Sequence, residues 1–194
     1  MKVSLINCPQ SPYPYLYLGL PYTVSSVSIK HKVQLIDLAF CAKNYKKFIL
    51  SEVQNDVPGV AAFSVNSANI DYAVEIARFL KQRHSSILIM FGGIYSTLLP
   101  EVMLRYSGVD AVCVGEGEEA FLEYLDRLEQ DEEPFVQGIW YKKNNQEIIK
   151  NESRPFKGDL DSLPFPKRDI FGVSKYIKTS FFIPTICSFK RLFV

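Results

Sequence analysis

A chain of 194 residues, 47% of them hydrophobic, is long enough for one core and an appendage. Its 22 Lys and Arg stand against 21 Asp and Glu, and the net charge of +1 gives no electrostatic case for nucleic acid or an anionic membrane. The longest clean apolar runs reach about five residues, far short of the ~20 that span a bilayer. Met1–Ile6 meets Asn7 too soon for a signal peptide. Cys8, Cys41, Cys113 and Cys187 lie far apart with no CxxC pair, so a reduced, cytoplasmic protein without disulfides is expected.

In chain order, apolar runs predict strands over Lys2–Ile6, Lys32–Leu38, Gly59–Val65, Ser86–Phe91 and Asp110–Val114. Several are near-continuous in Val, Ile, Leu and Ala, as strands covered on both faces require. Helical patterns separate them. Leu18–Lys30 and Asn44–Asn55 are the weaker two, the first interrupted by Pro21 and the run Thr23–Ser28. Ile70, Ala73, Val74, Ala77 and Leu80 make one helix face, as do Phe121, Leu122, Leu125 and Leu128. Between these two, Pro100 suits a helix's first turn and Gly108 its end. Strand and helix in alternation predict an α/β fold, a parallel sheet with right-handed crossovers.

After Glu133 the pattern changes. Gly138–Tyr141 and Glu147–Ile149 flank Lys142–Gln146, where Asn144 and Asn145 tolerate positive φ, and a β-hairpin is predicted. Arg154–Arg168 carries Pro155, Pro164 and Pro166 and reads as an extended linker. Tyr176–Val194 is aromatic and apolar, without an acidic residue. Three regions follow: 1–133, 134–175 and 176–194.

Ligands of open parallel α/β sheets bind at the carboxyl ends of the strands. The loop after the first strand reads NCPQSPYPY, without the glycine fingerprint of a dinucleotide site, the acidic cluster of a receiver domain or the donor-rich loop of a flavin-phosphate site. Gly115-Glu116-Gly117-Glu118-Glu119-Ala120 fits GxGxxA formally, but it follows the last strand and its carboxylates repel a pyrophosphate. What remains is a mostly neutral crevice with small residues on two loops: Ser64, Asn66, Ser67 and Ala68, then Gly92, Gly93, Ser96 and Thr97. Each glycine alone reads as a turn. The paired small loops together read as room for a bulky group.

The motifs KVSLINCP, YLYLGLPY, KVQLIDL, AAFSVNSAN, FGGIYSTLLPE, VDAVCVGEGEEAF, GIWYKKNNQEII and DLDSLPFPKRD occur in that order from Lys2 to about Asp169. In this order they resemble the N-terminal part of cobalamin-binding radical SAM proteins. The resemblance implies a five-stranded parallel flavodoxin-like (Rossmann-like) sheet with helices on both faces, then a β-hairpin and an extended C-terminal strap leading to a barrel. It implies cobalamin as cofactor, with Ser64, Asn66 and Ser67 lining a channel for the nucleotide tail. Gly92, Gly93, Ile94 and Tyr95 would let the tail pass, and Gly115, Glu116 and Gly117 would meet its far end. Val65 and Thr97 beside these loops, with Asn7, Cys8, Pro9 and Gln10 after the first strand, complete the implied cofactor-binding set.

Two departures from the family pattern shape the expected function. Where many cobalamin domains carry Asp-x-His-x-x-Gly, this chain has Asn7-Cys8-Pro9-Gln10-Ser11, so cobalt would be base-off without a protein imidazole. His31 and His84 read as surface residues, and Cys8 as a buried structural thiol. The family's Cys-x-x-x-Cys-x-x-Cys motif, which holds a [4Fe–4S] cluster beside S-adenosylmethionine, retains here only Cys187 as a candidate ligand; Arg191 and Val194 take the other two positions. The expectation is a cobalamin-binding domain without catalytic machinery of its own. The competing readings are an interaction module with an empty site and an apolar tail, and an α/β enzyme whose nucleophile cannot be named. The tail 176–194 is expected to fold back on the sheet or to pair with another copy or a partner, with pairing favoured.

Overall fold

The computed structural model describes residues 1–10, 17–41, 43–143 and 147–180. Its elements are β1 (Lys2–Asn7), α1 (Gly19–Val27), β2 (Lys32–Asp37), α2 (Tyr45–Val53), β3 (Val60–Ser64), α3 (Ile70–Arg83), β4 (Leu88–Gly92), α4 (Ile94–Leu98), α5 (Pro100–Arg105), β5 (Ala111–Cys113), α6 (Gly117–Glu129), β6 (Ile139–Lys143), β7 (Glu147–Lys150) and α7 (Val173–Ser180). The sheet order is β2-β1-β3-β4-β5-β6-β7. The first five strands pair in parallel, the flavodoxin-like arrangement. The hairpin pairs antiparallel onto β5 and continues the sheet to seven strands. Its turn, residues 144–146, lies outside the described residues.

Alternation along the strands sends side chains to two faces. Ile6, Phe63, Ile89, Phe91 and Val112 pack with α2, α3 and α5. Leu5, Ala62, Met90, Ala111 and Cys113 pack with α1 and α6. Both faces are covered, which explains the near-continuous apolar strands.

The helix expected from Pro100 to Gly108 ends earlier, at Arg105, and a separate short helix precedes it. Pro100 has no amide hydrogen to give to Ser96, and Leu99 before it takes φ −135° and ψ 52°, outside the helical region. Tyr106 is extended, which closes the second piece.

Beyond β7 the chain runs as an extended strap with short 3₁₀ turns at Leu160–Ser162 and Asp169–Phe171. Arg154 pairs with Glu119 and Glu123 of α6, and the Lys157 amide donates to Glu116. Further on, the Ser25 hydroxyl of α1 donates to the Phe165 carbonyl (2.7 Å) and accepts from the Lys167 amide (2.9 Å). Phe171 is buried, and α7 brings the Tyr176 hydroxyl to the carboxyl ends of β1 and β2. Residues 181–194, Cys187 among them, lie outside the described residues.

One expectation is corrected. His31 is a buried residue, with its side chain fully enclosed. Its Nε2 lies 3.2 Å from Asp126 and its Nδ1 3.3 Å from the amino group of Met1, so acidic and basic groups hold it in place from two sides. Glu129 stands 3.6 Å from the same Nδ1. His84 is half-buried at the end of α3.

Candidate functional site

A cavity of about 290 Å³ opens on the α1/α6 side of the sheet, at the carboxyl ends of β3, β4 and β5. It exists because the residues facing that side at the strand ends are small: Ala62, Ser64, Gly92 and Cys113. On the opposite face the intervening residues Phe63 and Phe91 fill the layer edge-to-face, their rings 5.3 Å apart. Gly19, Leu20 and Thr23 of α1 form one wall, while Glu118 and Phe121 of α6 form the other.

The two adjacent glycines have different reasons. At Gly93, φ is +86° and a Cβ would sit 2.9 Å from the Val65 amide nitrogen. The Val65 amide donates to the Gly92 carbonyl (2.8 Å) and the Tyr95 amide to the Val65 carbonyl (3.2 Å), so the two loops clasp each other around Gly93. Gly93 therefore serves the turn. Gly92 has no such requirement: a Cβ there would meet only ordinary contacts, the Phe63 carbonyl at 3.7 Å and the Cys113 Cβ at 3.8 Å. Its missing side chain leaves space in the cavity. Gly19, where an added Cβ would meet nothing within 4 Å, does the same at the other wall.

Of the residues singled out in the sequence, Ser64, Gly92, Gly93, Gly115, Glu116 and Gly117 meet at this cavity. The others do not line it. Val65 is buried on the opposite face, where Tyr95 packs too, and Ile94 is exposed. Asn66 is used by its own loop: its Oδ1 accepts from the Ala68 amide (2.8 Å) and its Nδ2 donates to the Tyr17 hydroxyl (2.8 Å). Ser67 is exposed beside it. Thr97 holds the next loop, accepting from the Gly115 amide at 3.0 Å and donating to the Gly93 carbonyl at 3.1 Å. Sequence reasoning missed the α1 wall. Gly19 and Thr23 lie four apart, on one helix face, and that spacing was its available signal.

The start of the loop after β1 is buried. Cys8 is fully enclosed, and burial pushes its thiol well above the usual range. Pro9 and Gln10 are buried with it. Asn7 donates to Asp37 (2.9 Å) and to the Tyr176 hydroxyl (3.0 Å), and that hydroxyl donates to the other oxygen of Asp37 (2.7 Å). Burial first, then the bond to Asp37, raise the Tyr176 phenol, which stays protonated and so remains a donor.

The cavity is electrically simple. No lysine, arginine or histidine among the described residues lines it, and its carboxylates, Glu116 and Glu118, stand at the mouth. The Cys113 thiol on the floor is pushed up to about 12, by burial above all and by Glu118 next, so it is neutral. Such a site fits an uncharged surface with a large apolar area better than a pyrophosphate. Among the described residues, no group of three or more His, Cys, Asp or Glu gathers to hold a metal ion. None of their helices is long and apolar enough to cross a membrane.

The chain is 34% identical over 169 residues to an uncharacterised methyltransferase of Pyrococcus horikoshii, an alignment covering 82% of this chain and 35% of that one. The chain thus spans about a third of the length of this relative. Among solved structures it is similar to the cobalamin-dependent S-adenosylmethionine radical enzyme OxsB with aqua-cobalamin and S-adenosylmethionine bound (TM-score 0.76, 24% identity, 90% of this chain and 25% of that one). It is also similar to the radical S-adenosylmethionine methyltransferase TsrM of Kitasatospora setae with cobalamin and a [4Fe–4S] cluster bound (TM-score 0.69, 16% identity, 85% and 31%). Residues 11–125 match the B12 binding domain family, more than half of the sequence, and the chain belongs to that family.

Proposed function

We propose that this chain binds cobalamin at the carboxyl edge of the sheet, with the nucleotide tail in the cavity between α1 and α6, and without a histidine ligand to cobalt. The observation that carries the reading is the cavity itself, hollowed by Gly92 and Gly19, which the fold does not need as glycines. Ser64, Thr23 and Glu118 would meet the tail's polar atoms. The missing imidazole follows from placement. The sequence has two histidines, and both precede strands, His31 before β2 and His84 before β4. They stand at the amino edge, a strand length of roughly 17 Å from the site. When bound, cobalamin supplies a cobalt centre for methyl-transfer or radical chemistry. This chain's part is to hold and orient the cofactor. Its sequence has no Cys-x-x-x-Cys-x-x-Cys motif, so we read it as a carrier or partner in such chemistry, not as a catalyst alone.

Equilibrium dialysis against hydroxocobalamin, followed by a visible spectrum, tests the reading. Retention at tens of micromolar with a base-off spectrum is expected. No retention would overturn the proposal, and a spectrum of histidine ligation would overturn the axial part alone.

A second reading is favoured by one observation: the strap exposes Phe156 (84%), Leu160 (63%) and Phe165 (93%) to solvent. With the apolar composition of 176–194, this supports association with another copy or a partner chain. Sedimentation over a range of concentrations tests self-association, and deletion after Ile170 should abolish it. A sedimentation coefficient independent of concentration would count against it.

A further inference from the structure

We propose that the cavity discriminates among corrinoids by the base of the nucleotide tail, favouring a base with a hydrocarbon edge such as dimethylbenzimidazole over an aminated purine. The proposal rests on the cobalamin reading above. It comes from how polarity is distributed with depth. The deep lining, floor and lower walls together, consists of Leu5, Leu20, Ala62, Met90, Cys113 and Phe121, each at most 5% exposed. Among the described residues, polar side chains line the cavity only toward the mouth, where Thr23, Ser64 and Glu118 are half-buried and Glu116 is exposed.

The backbone beneath the floor offers little more. Leu5 pairs with Ala62, Ala62 with Met90 and Met90 with Ala111 in the parallel ladder, so these amides and carbonyls are engaged within the sheet. The Cys113 thiol is a weak donor and a poor acceptor. An exocyclic amine would lose its water at this depth and find no acceptor side chain there among the described residues. A methylated benzene edge brings nothing to satisfy and buries more apolar surface. The gap in affinity is expected to be roughly ten- to hundredfold. At the mouth, ribose hydroxyls, common to both tails, can donate to Glu118 and do not discriminate.

The test uses the whole chain in equilibrium dialysis against three probes: hydroxocobalamin, the corresponding cobamide with adenine as its base, and aquacobinamide, which has no nucleotide tail. Hydroxocobalamin should bind most tightly, the adenine cobamide at least about tenfold more weakly, and aquacobinamide no better than the adenine form. Equal affinity for the two complete cobamides overturns the base preference and leaves the cobalamin reading standing. Equal affinity for hydroxocobalamin and aquacobinamide shows that the tail makes no use of the cavity and overturns the preference as well. Retention of none of the three overturns both. Cys113→Ser and Ala62→Ser each place a hydroxyl on the floor and should narrow the gap between the two complete cobamides. An unchanged ratio in a variant with the parent's unfolding midpoint counts against the floor as its cause.

Discussion

The two faces of the sheet use the same three strands to opposite ends. On the α3 side, Phe63, Ile89, Phe91 and Val112 fill the layer. One residue along, on the α1/α6 side, Ala62, Ser64, Gly92 and Cys113 leave a hollow of about 290 Å³. Period-two alternation lets a single stretch such as Phe91-Gly92 seal one layer and open the other. The filled face is packed to the strand ends, while the other keeps its packing deeper, in residues such as Val3, Val24, Val60 and Leu125, and is hollow only at the carboxyl edge.

The largest effect that would break this contrast is on the filled face. Phe91→Ala should cost about 3–5 kcal/mol in chemical denaturation, since it removes a wholly buried ring and its contact with Phe63. Next comes the clasp: Gly93→Ala should cost about 2–3 kcal/mol, from the positive φ and the approach to Val65. Gly92→Leu sharpens the comparison. It should change stability by less than about 1 kcal/mol yet weaken hydroxocobalamin binding at least tenfold. If Gly92→Leu destabilises the protein as much as Gly93→Ala, the two glycines are not separate in role.

The smallest effect concerns the strap. The bond from Lys157 holds the Glu119 carboxyl below its usual range, with attraction to Lys157 and Arg154 adding to it against burial. A carboxyl whose folded value is depressed stabilises the fold above its ordinary range, and the contribution is lost as pH falls through the lowered folded value. The unfolding midpoint should thus decline on acidification below about pH 4.5, the ordinary glutamate value. Because Glu119 is half exposed, its share should be less than about 1 kcal/mol. Glu119→Gln should flatten that part of the profile, and an identical slope in the variant would assign it to other carboxyls.

The strands were legible because burial on both faces writes itself as unbroken Val, Ile, Leu and Ala, and the hairpin because two β-rich runs flank asparagines. The cavity was half legible. Ser64, Gly92 and Gly115–Gly117 follow from knowing that ligands sit at carboxyl ends, but the wall from α1 does not. Its Thr and Ser content lowers helix propensity, and the neighbourhood of α1 and α6 is set by topology alone. Gly92 and Gly93 look alike in the sequence, since the close approach of Val65 exists only in three dimensions. The burial of His31 was hidden for the same reason: Asp126, its partner, is 95 residues away.

The strap has a mechanical consequence. It is fastened to α6 through Arg154 and Lys157 and to α1 through Phe165 and Lys167, and these helices are the two walls of the cavity. The peptide between Lys157 and Phe165 therefore ties the two walls to each other a second time, beside the direct packing of α1 on α6.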